Sequence, residues 1–195
     1  MTFIVAYHNS DAQATKYGIK VGIISANQRF ANKPASLKVA PITSFNIQFL
    51  ADFNITSSLS IQSGLGVSGK GSKVGSSDAK LRTSLLYAEL PLNFIAKVPT
   101  AAKGYFFFGA GPYVAYALSG RTKLSGLGAD QIEEDIFSDD GFKRSDYGLN
   151  IITGVEFRKG VTVNFNYGLG LNDISGQNIS KVKNTWISAS IGFLL

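Results

Sequence analysis

The sequence predicts an all-β fold: an eight-stranded antiparallel up-and-down transmembrane β-barrel. Three observations carry that expectation. Apolar and polar residues alternate in eight separate stretches. The links between those stretches run long, short, long, short, long, short, long. The charges inside the strand cores, Lys20, Asp52, Glu89 and Glu156, all fall on the face opposite the apolar one. Alternation of this kind is the period of a strand with one wet and one dry face.

Val161 to Asn172 shows the pattern without a break. Val161, Val163, Phe165, Tyr167, Leu169 and Leu171 lie on one face, and Thr162, Asn164, Asn166, Gly168, Gly170 and Asn172 on the other. A strand of about five or six residues is usual in a soluble domain. A strand tilted across a bilayer needs roughly nine to eleven.

In chain order the predicted staves are Lys16 to Ile24, Ile42 to Phe53, Ser58 to Ser68, Arg82 to Lys97, Tyr105 to Leu118, Asp146 to Arg158, Val161 to Asn172 and Thr185 to Leu195. Tyr17, Ile19, Val21 and Ile23 form the apolar face of the first, and Ile187, Ala189, Ile191 and Phe193 that of the last. Lys159-Gly160 predicts a tight hairpin turn. Gly69 to Asp78 reads as an exposed loop, and so does Ser119 to Lys143, with its acidic centre of Asp130, Glu133, Glu134, Asp135, Asp139 and Asp140. Asp130 with Glu133 predicts the cap of a short helical turn; the acidic run as a whole reads as a solvated face. Pro91 and Pro112 cannot donate to a ladder, so each predicts a bulge or break.

An even number of strands with short turns at one end and longer loops at the other is the layout of an outer-membrane barrel. Tyr17, Phe53, Phe94, Phe106, Phe157 and Phe193 fall near the short-turn ends, where an interfacial aromatic girdle belongs. A Lys or Arg on the lipid side near the midplane costs about 2–4 kcal/mol, which explains why the strand charges avoid that side. Lys20, Asp52, Glu89 and Glu156 therefore read as a polar cluster in a lumen that side chains fill. Buried charges are paired, which predicts that Lys20 contacts one of the two Glu residues.

Composition narrows the function. The chain has 195 residues, 21 Gly, no Cys and one His, His8. A disulfide framework, a thiolate metal site and a Cys nucleophile are excluded, and His-based hydrolysis has no His in the barrel wall to use. No enzymatic activity and no cofactor are expected. The net charge of +6 does not point to nucleic acid, because the Lys and Arg residues are scattered over the long loops. Arg29, Lys33, Lys38, Lys70, Lys73, Lys80, Arg82, Arg121, Lys123, Lys143, Arg144, Lys181 and Lys183 read as an outer rim facing phosphorylated lipid head groups, lipopolysaccharide included. The barrel is expected to be monomeric. Residues 1–14 read as an export-signal remnant or a disordered terminus, with Ala12-Gln13-Ala14 as a peptidase-like box, and residues 15–195 as the barrel domain.

Several stretches together resemble the small outer-membrane β-barrel family of Bacteroidetes, the porin-family or PorT-like proteins. They are YAELPL from Tyr87, FFGAGPYVAYAL from Phe107, YGLNIITGVEF from Tyr147, NYGLGLNDIS from Asn166 and the closing SASIGFLL. The resemblance implies an outer-membrane location and a structural, interaction or secretion-associated role with an envelope or secretion-system partner. A narrow porin-like channel or a transport protein for a small ligand is the alternative.

Overall fold

A computed structural model describes residues 15–31, 37–75, 79–101, 103–126, 131–134, 136–137, 141–176 and 181–195. Residues 1–14, with His8, lie outside the described residues.

The chain forms β1 (Thr15–Phe30), β2 (Lys38–Asn54), β3 (Leu59–Gly75), β4 (Ala79–Pro99), β5 (Tyr105–Gly126), β6 (Gln131–Glu134), β7 (Ser145–Glu156), β8 (Val161–Gly170) and β9 (Val182–Leu194). Each wall strand is antiparallel to its neighbours, and the pairing of β1 with β9 closes the ring. β6 pairs only with the far end of β5, so the wall is the remaining eight strands. This is the up-and-down barrel the alternation predicts.

Local chemistry explains the wall. Ile19, Val21, Ile23, Phe49, Leu65, Phe94, Val114, Ile151, Phe165 and Ile191 all project outward and are exposed. Such a surface is stable only against hydrocarbon, since large exposed apolar patches are rare on soluble monomers. The girdle residues Tyr17, Phe53, Phe94, Phe106, Phe157 and Phe193 are exposed at the short-turn end. The polar face of every stave turns inward, and Lys20, Asp52, Glu89 and Glu156 are buried.

The turns at the girdle end are tight. Phe157 N–H bonds Val161 O at 2.8 Å and Gly160 N–H bonds Phe157 O at 2.9 Å. Gly160 has φ +82°, a conformation that only Gly adopts without penalty.

At the other end the strands run further than the sequence suggests. Gly69 to Gly75, expected as loop, continues β3, and Ser119 to Gly126 continues β5. Gln131–Glu134 is strand, where a helical turn was expected from Glu133; Asp130 is outside the described residues. The physical reason is the same in each case. Beyond the lipid a strand needs no apolar outer face, so the alternation fades while the hydrogen-bond ladder goes on. β5 has 22 residues, a contour of about 70 Å, against an apolar band of about 25 Å.

Above Ala26 and Ile42, β1 and β2 part company: β1 stays on β9 up to Phe30–Val182, while β2 continues on β3 from Lys38. The upper parts of β2, β3, β4 and β5, with β6 on the outside, thus make a sheet extension that rises from one side of the barrel mouth. The ladder between β4 and β5 is interrupted between Pro91 and Phe94, beside Pro112. The register shift itself lies higher, at Leu86/Tyr87.

Candidate functional site in the barrel lumen

The inward faces stack in tiers. At the girdle end Lys97 of β4 donates to Asp52 Oδ2 and to Asn54 Oδ1, both at 2.8 Å, and Lys16 of β1 pairs with Glu156 of β7. Above these pairs Ile95, Phe107 and Ile152 form a buried apolar cluster. Ile95 fits because Gly109 faces it; a Cβ there would come within 2.6 Å of Ile95 Cδ1.

The middle tier is a belt of amides and hydroxyls. Asn46 Nδ2 donates to Ser190 Oγ at 3.3 Å, Asn166 Nδ2 to Ser188 Oγ at 3.4 Å, and Asn164 Nδ2 to Thr162 Oγ1 at 3.2 Å. Lys20 lies in this tier. It makes no ion pair within 4 Å among the described residues, and Glu89 acts on it only through space. The expected contact between Lys20 and a Glu is therefore absent: Glu89 pairs with Lys70 at 2.7 Å, and Glu156 with Lys16. A cavity of about 20 Å³ adjoins Lys20, Glu89, Asn93 and Asn150. That is room for about one water, far below what a passing solute needs.

The upper tier is a caged cation. Lys70, expected on the outer rim, is fully buried because β3 carries it inside on the same parity as Ser60, Gln62 and Ser68. Its ammonium lies 2.7 Å from Glu89 Oε2 and 3.4 Å from Asp146 Oδ2. It also sits 4.3 Å from the ring centroid of Tyr113, 5.1 Å from that of Tyr87 and 5.7 Å from that of Trp186. Three π faces and two carboxylates replace its hydration shell. Asn184 Nδ2 donates to Asp146 Oδ2 at 2.9 Å and to Tyr87 Oη at 3.3 Å. Trp186 can lie flat against β8 because Gly168 leaves the space: a Cβ there would fall 2.1 Å from the indole.

An apolar lid covers this cage. Ile136, Ile174 and Val182 are buried against Leu85, Tyr87 and Tyr113, with Phe30, Phe137 and Phe142 packed beside them. Loop backbone bonds tie the lid: Phe142 N–H to Ile136 O at 2.9 Å, Lys143 N–H to Ile174 O at 2.8 Å and Ile174 N–H to Val182 O at 2.9 Å. Asp173 Oδ1 accepts from Val182 N–H at 2.9 Å and from Ser175 N–H at 3.1 Å, fixing the bend. The Arg144 guanidinium stacks 4.4 Å above the Phe137 ring.

Among the described residues, the lumen ion pairs join Lys16, Lys70 and Lys97 to Glu156, Glu89, Asp146 and Asp52. No group of three or more potential ligands among the described residues is placed to hold a metal ion. A polar interior of this kind under an outward apolar wall is an outer-membrane design. The family model for the outer membrane protein beta-barrel domain matches residues 9–176.

The chain belongs to that family.

It is a bacterial outer-membrane barrel. The outer-membrane protein OprG of Pseudomonas aeruginosa shares the fold, with 12% identity, 94% of this chain and 97% of that one covered, and a TM-score of 0.53. The attachment invasion locus protein Ail of Yersinia pestis aligns at 11% identity over 92% of this chain and 98% of its own, with a TM-score of 0.47. The Neisserial surface protein A aligns at 13% identity over 91% and 96%, with a TM-score of 0.45. No curated protein matches the chain in sequence.

Alternation in the sequence turns Lys97, Tyr113 and Trp186 inward along with Lys20, Asp52, Glu89 and Glu156, but it does not show that they meet, and Lys70 was expected on the outer rim. The available signal for Lys70 was parity: Ser68, Lys70 and Ser72 continue the inner face of β3 into the Gly-rich run.

Proposed function

We propose that this barrel is a sealed structural and interaction component of the outer membrane, working through its external sheet extension and loops. The observation that carries this reading is the filled lumen. The mouth lies under the apolar lid, Lys70 and its partners occupy the tier below, and the lumenal cavities bordering Lys20 and Lys97 are about 20 and 10 Å³. The long upper strands of β3, β4 and β5 are the second support, since membrane spanning alone does not require them.

The PorT-like motifs favour a secretion-associated envelope partner of Bacteroidetes type, and the basic upper rim favours contact with phosphorylated outer-membrane lipid. A monomeric barrel fits the eight wall strands, which the pairing of β1 with β9 closes into a ring. The test is conductance in planar bilayers containing the folded protein. No ion current is expected; steady single-channel steps would replace this reading with the narrow-channel alternative.

A further inference from the structure

The amide belt of the lumen contains two acceptors that the belt itself does not serve. Asn93 of β4 and Asn150 of β7 are 2% and 3% exposed, and the Oδ1 of each accepts from no donor among the described residues. Both border the cavity of about 20 Å³, as do Lys20 and Glu89. Asn46, Asn164 and Asn166 find hydroxyl partners in the same belt, so the two orphans mark one place and not a general shortage of partners. A buried acceptor without a donor is costly, and ordered water is its usual partner.

Two inward glycines make the room. Gly111 pairs with Asn150 across β5 and β7, and a Cβ on it would come within 2.9 Å of Asn93 Cα, so the inner face between the two amides carries no side chain. The β4–β5 ladder is interrupted at this level. On the other side Lys20 pairs with Gln48, Gln48 with Gly66 and Gly66 with Glu89. The ammonium and the carboxylate thus share one row, and Gly66 opens the lumen beside Glu89.

Charge decides what this room can hold. In the interior Lys16, Lys20, Lys70 and Lys97 stand against Asp52, Glu89, Asp146 and Glu156. That balance is complete, so an added ion of either sign would be a buried charge without a partner. A metal cation would also meet Lys20, and a halide would meet Glu89 and two amide oxygens. The guest that fits is neutral, of the size of water, and able to accept from Lys20 while donating twice.

We propose that this cavity is a built site for one water molecule, held by Lys20, Asn93 and Asn150. The water accepts from the Lys20 ammonium and donates to Asn93 Oδ1 and Asn150 Oδ1, and about three partners is the usual number for a buried water. The one lumenal ammonium outside the ion pairs is thereby solvated inside the barrel, with Glu89 as its counter-charge through space. Ile95, Phe107 and Ile152 lie between this tier and the ion pairs at the girdle end, so the water is resident and not one of a file. The inference rests on the filled lumen proposed above.

The test is a high-resolution crystal structure of the full chain, folded in detergent and grown with rubidium bromide as the only salt. One isolated density peak is expected within hydrogen-bond reach of Lys20 Nζ, Asn93 Oδ1 and Asn150 Oδ1, without anomalous signal at the rubidium or bromine edge. Anomalous signal at either edge would overturn the water in favour of an ion. A continuous file of waters through the barrel would overturn the sealed lumen together with this site, whereas a featureless cavity in a barrel that carries no current overturns the site alone. The double variant Asn93→Leu/Asn150→Leu, similar in shape and lacking both acceptors, should lose the peak, with heat-modifiable gel mobility verifying that it is folded. A peak retained at full occupancy in that variant would overturn the part given to the two amides.

Discussion

Replacing Lys70 by Met tests the account of the lumen most directly. Methionine has a similar length and no charge, so the change removes the ammonium and little else. It leaves Glu89 and Asp146 facing each other's vicinity without the cation now 2.7 and 3.4 Å away. Removing one partner of a buried ion pair costs about 3–5 kcal/mol, because the other charge stays buried and unpaired. The cation–π contacts to Tyr113, Tyr87 and Trp186 put Lys70→Met toward the upper end of that range. With a urea slope of about 2 kcal/mol per molar, the unfolding midpoint in lipid vesicles should fall by roughly 2 M. The triple variant Lys70→Met/Glu89→Gln/Asp146→Asn removes the stranded charges as well, and a neutral replacement of a buried ionic group is often close to isoenergetic. It should recover most of the lost stability. A single variant within about 1 kcal/mol of wild type, or a triple variant no better than the single, would refute the cage as the element that holds the upper lumen.

Other outcomes follow from the same geometry. Phe165→Arg, on the lipid face of β8 with Phe165 exposed, should destabilise the folded barrel by about 2–4 kcal/mol by denaturant titration, and an effect under about 0.5 kcal/mol would argue that this face is not against hydrocarbon. Gly168→Val should force the indole of Trp186 out of its place beside Lys70, since even a Cβ falls 2.1 Å from the ring; as Trp186 is the chain's single Trp, its emission reports the displacement directly, and an unchanged spectrum in a folded variant would contradict the packing. Lys97→Ala strands Asp52, which is buried and accepts from Lys97 at 2.8 Å, and should cost about 3 kcal/mol in the same titration, whereas Lys73→Ala on the exposed extension should stay within about 0.5 kcal/mol.

The wall was legible because lipid outside and polar groups inside impose opposite demands on alternate residues. Thr162, Asn164 and Asn166 against Val163, Phe165 and Tyr167 can satisfy both in one orientation only. Where one demand lapses, legibility lapses with it. Lys70 and Ser72 continue the inner face of β3, but their outward neighbours Gly69, Gly71 and Lys73 meet no hydrocarbon, so the run resembles a loop. The lid was invisible for a different reason. The pair Ile136-Phe137 and the single residues Phe142 and Ile174 lie in polar connections, and only the closed ring brings them over Tyr87 and Tyr113. The pairing of lumen charges likewise depends on which strands face each other across the barrel. Parity says that Lys20 and Glu89 are inside; it does not say that Lys70 reaches Glu89 first.

The lumen contacts have a consequence for assembly. Lys16 and Glu156 are 140 residues apart in the chain, Asn46 and Ser190 are 144 apart, and Lys70 and Asp146 are 76 apart. None of these contacts can form in a hairpin or in a half-built sheet; each needs strands from opposite parts of the chain to stand face to face. An open, curling sheet could still pair Lys70 with Glu89 and Lys97 with Asp52 within β2, β3 and β4, but it would leave Lys16, Glu156 and Asp146 without these partners. Closure of β1 on β9 is therefore the moment when Lys16 meets Glu156 and Lys70 meets Asp146, completing the pairing that β2, β3 and β4 begin. The seam between the first and last strands acts as a latch, and the barrel should insert and lock as one cooperative event.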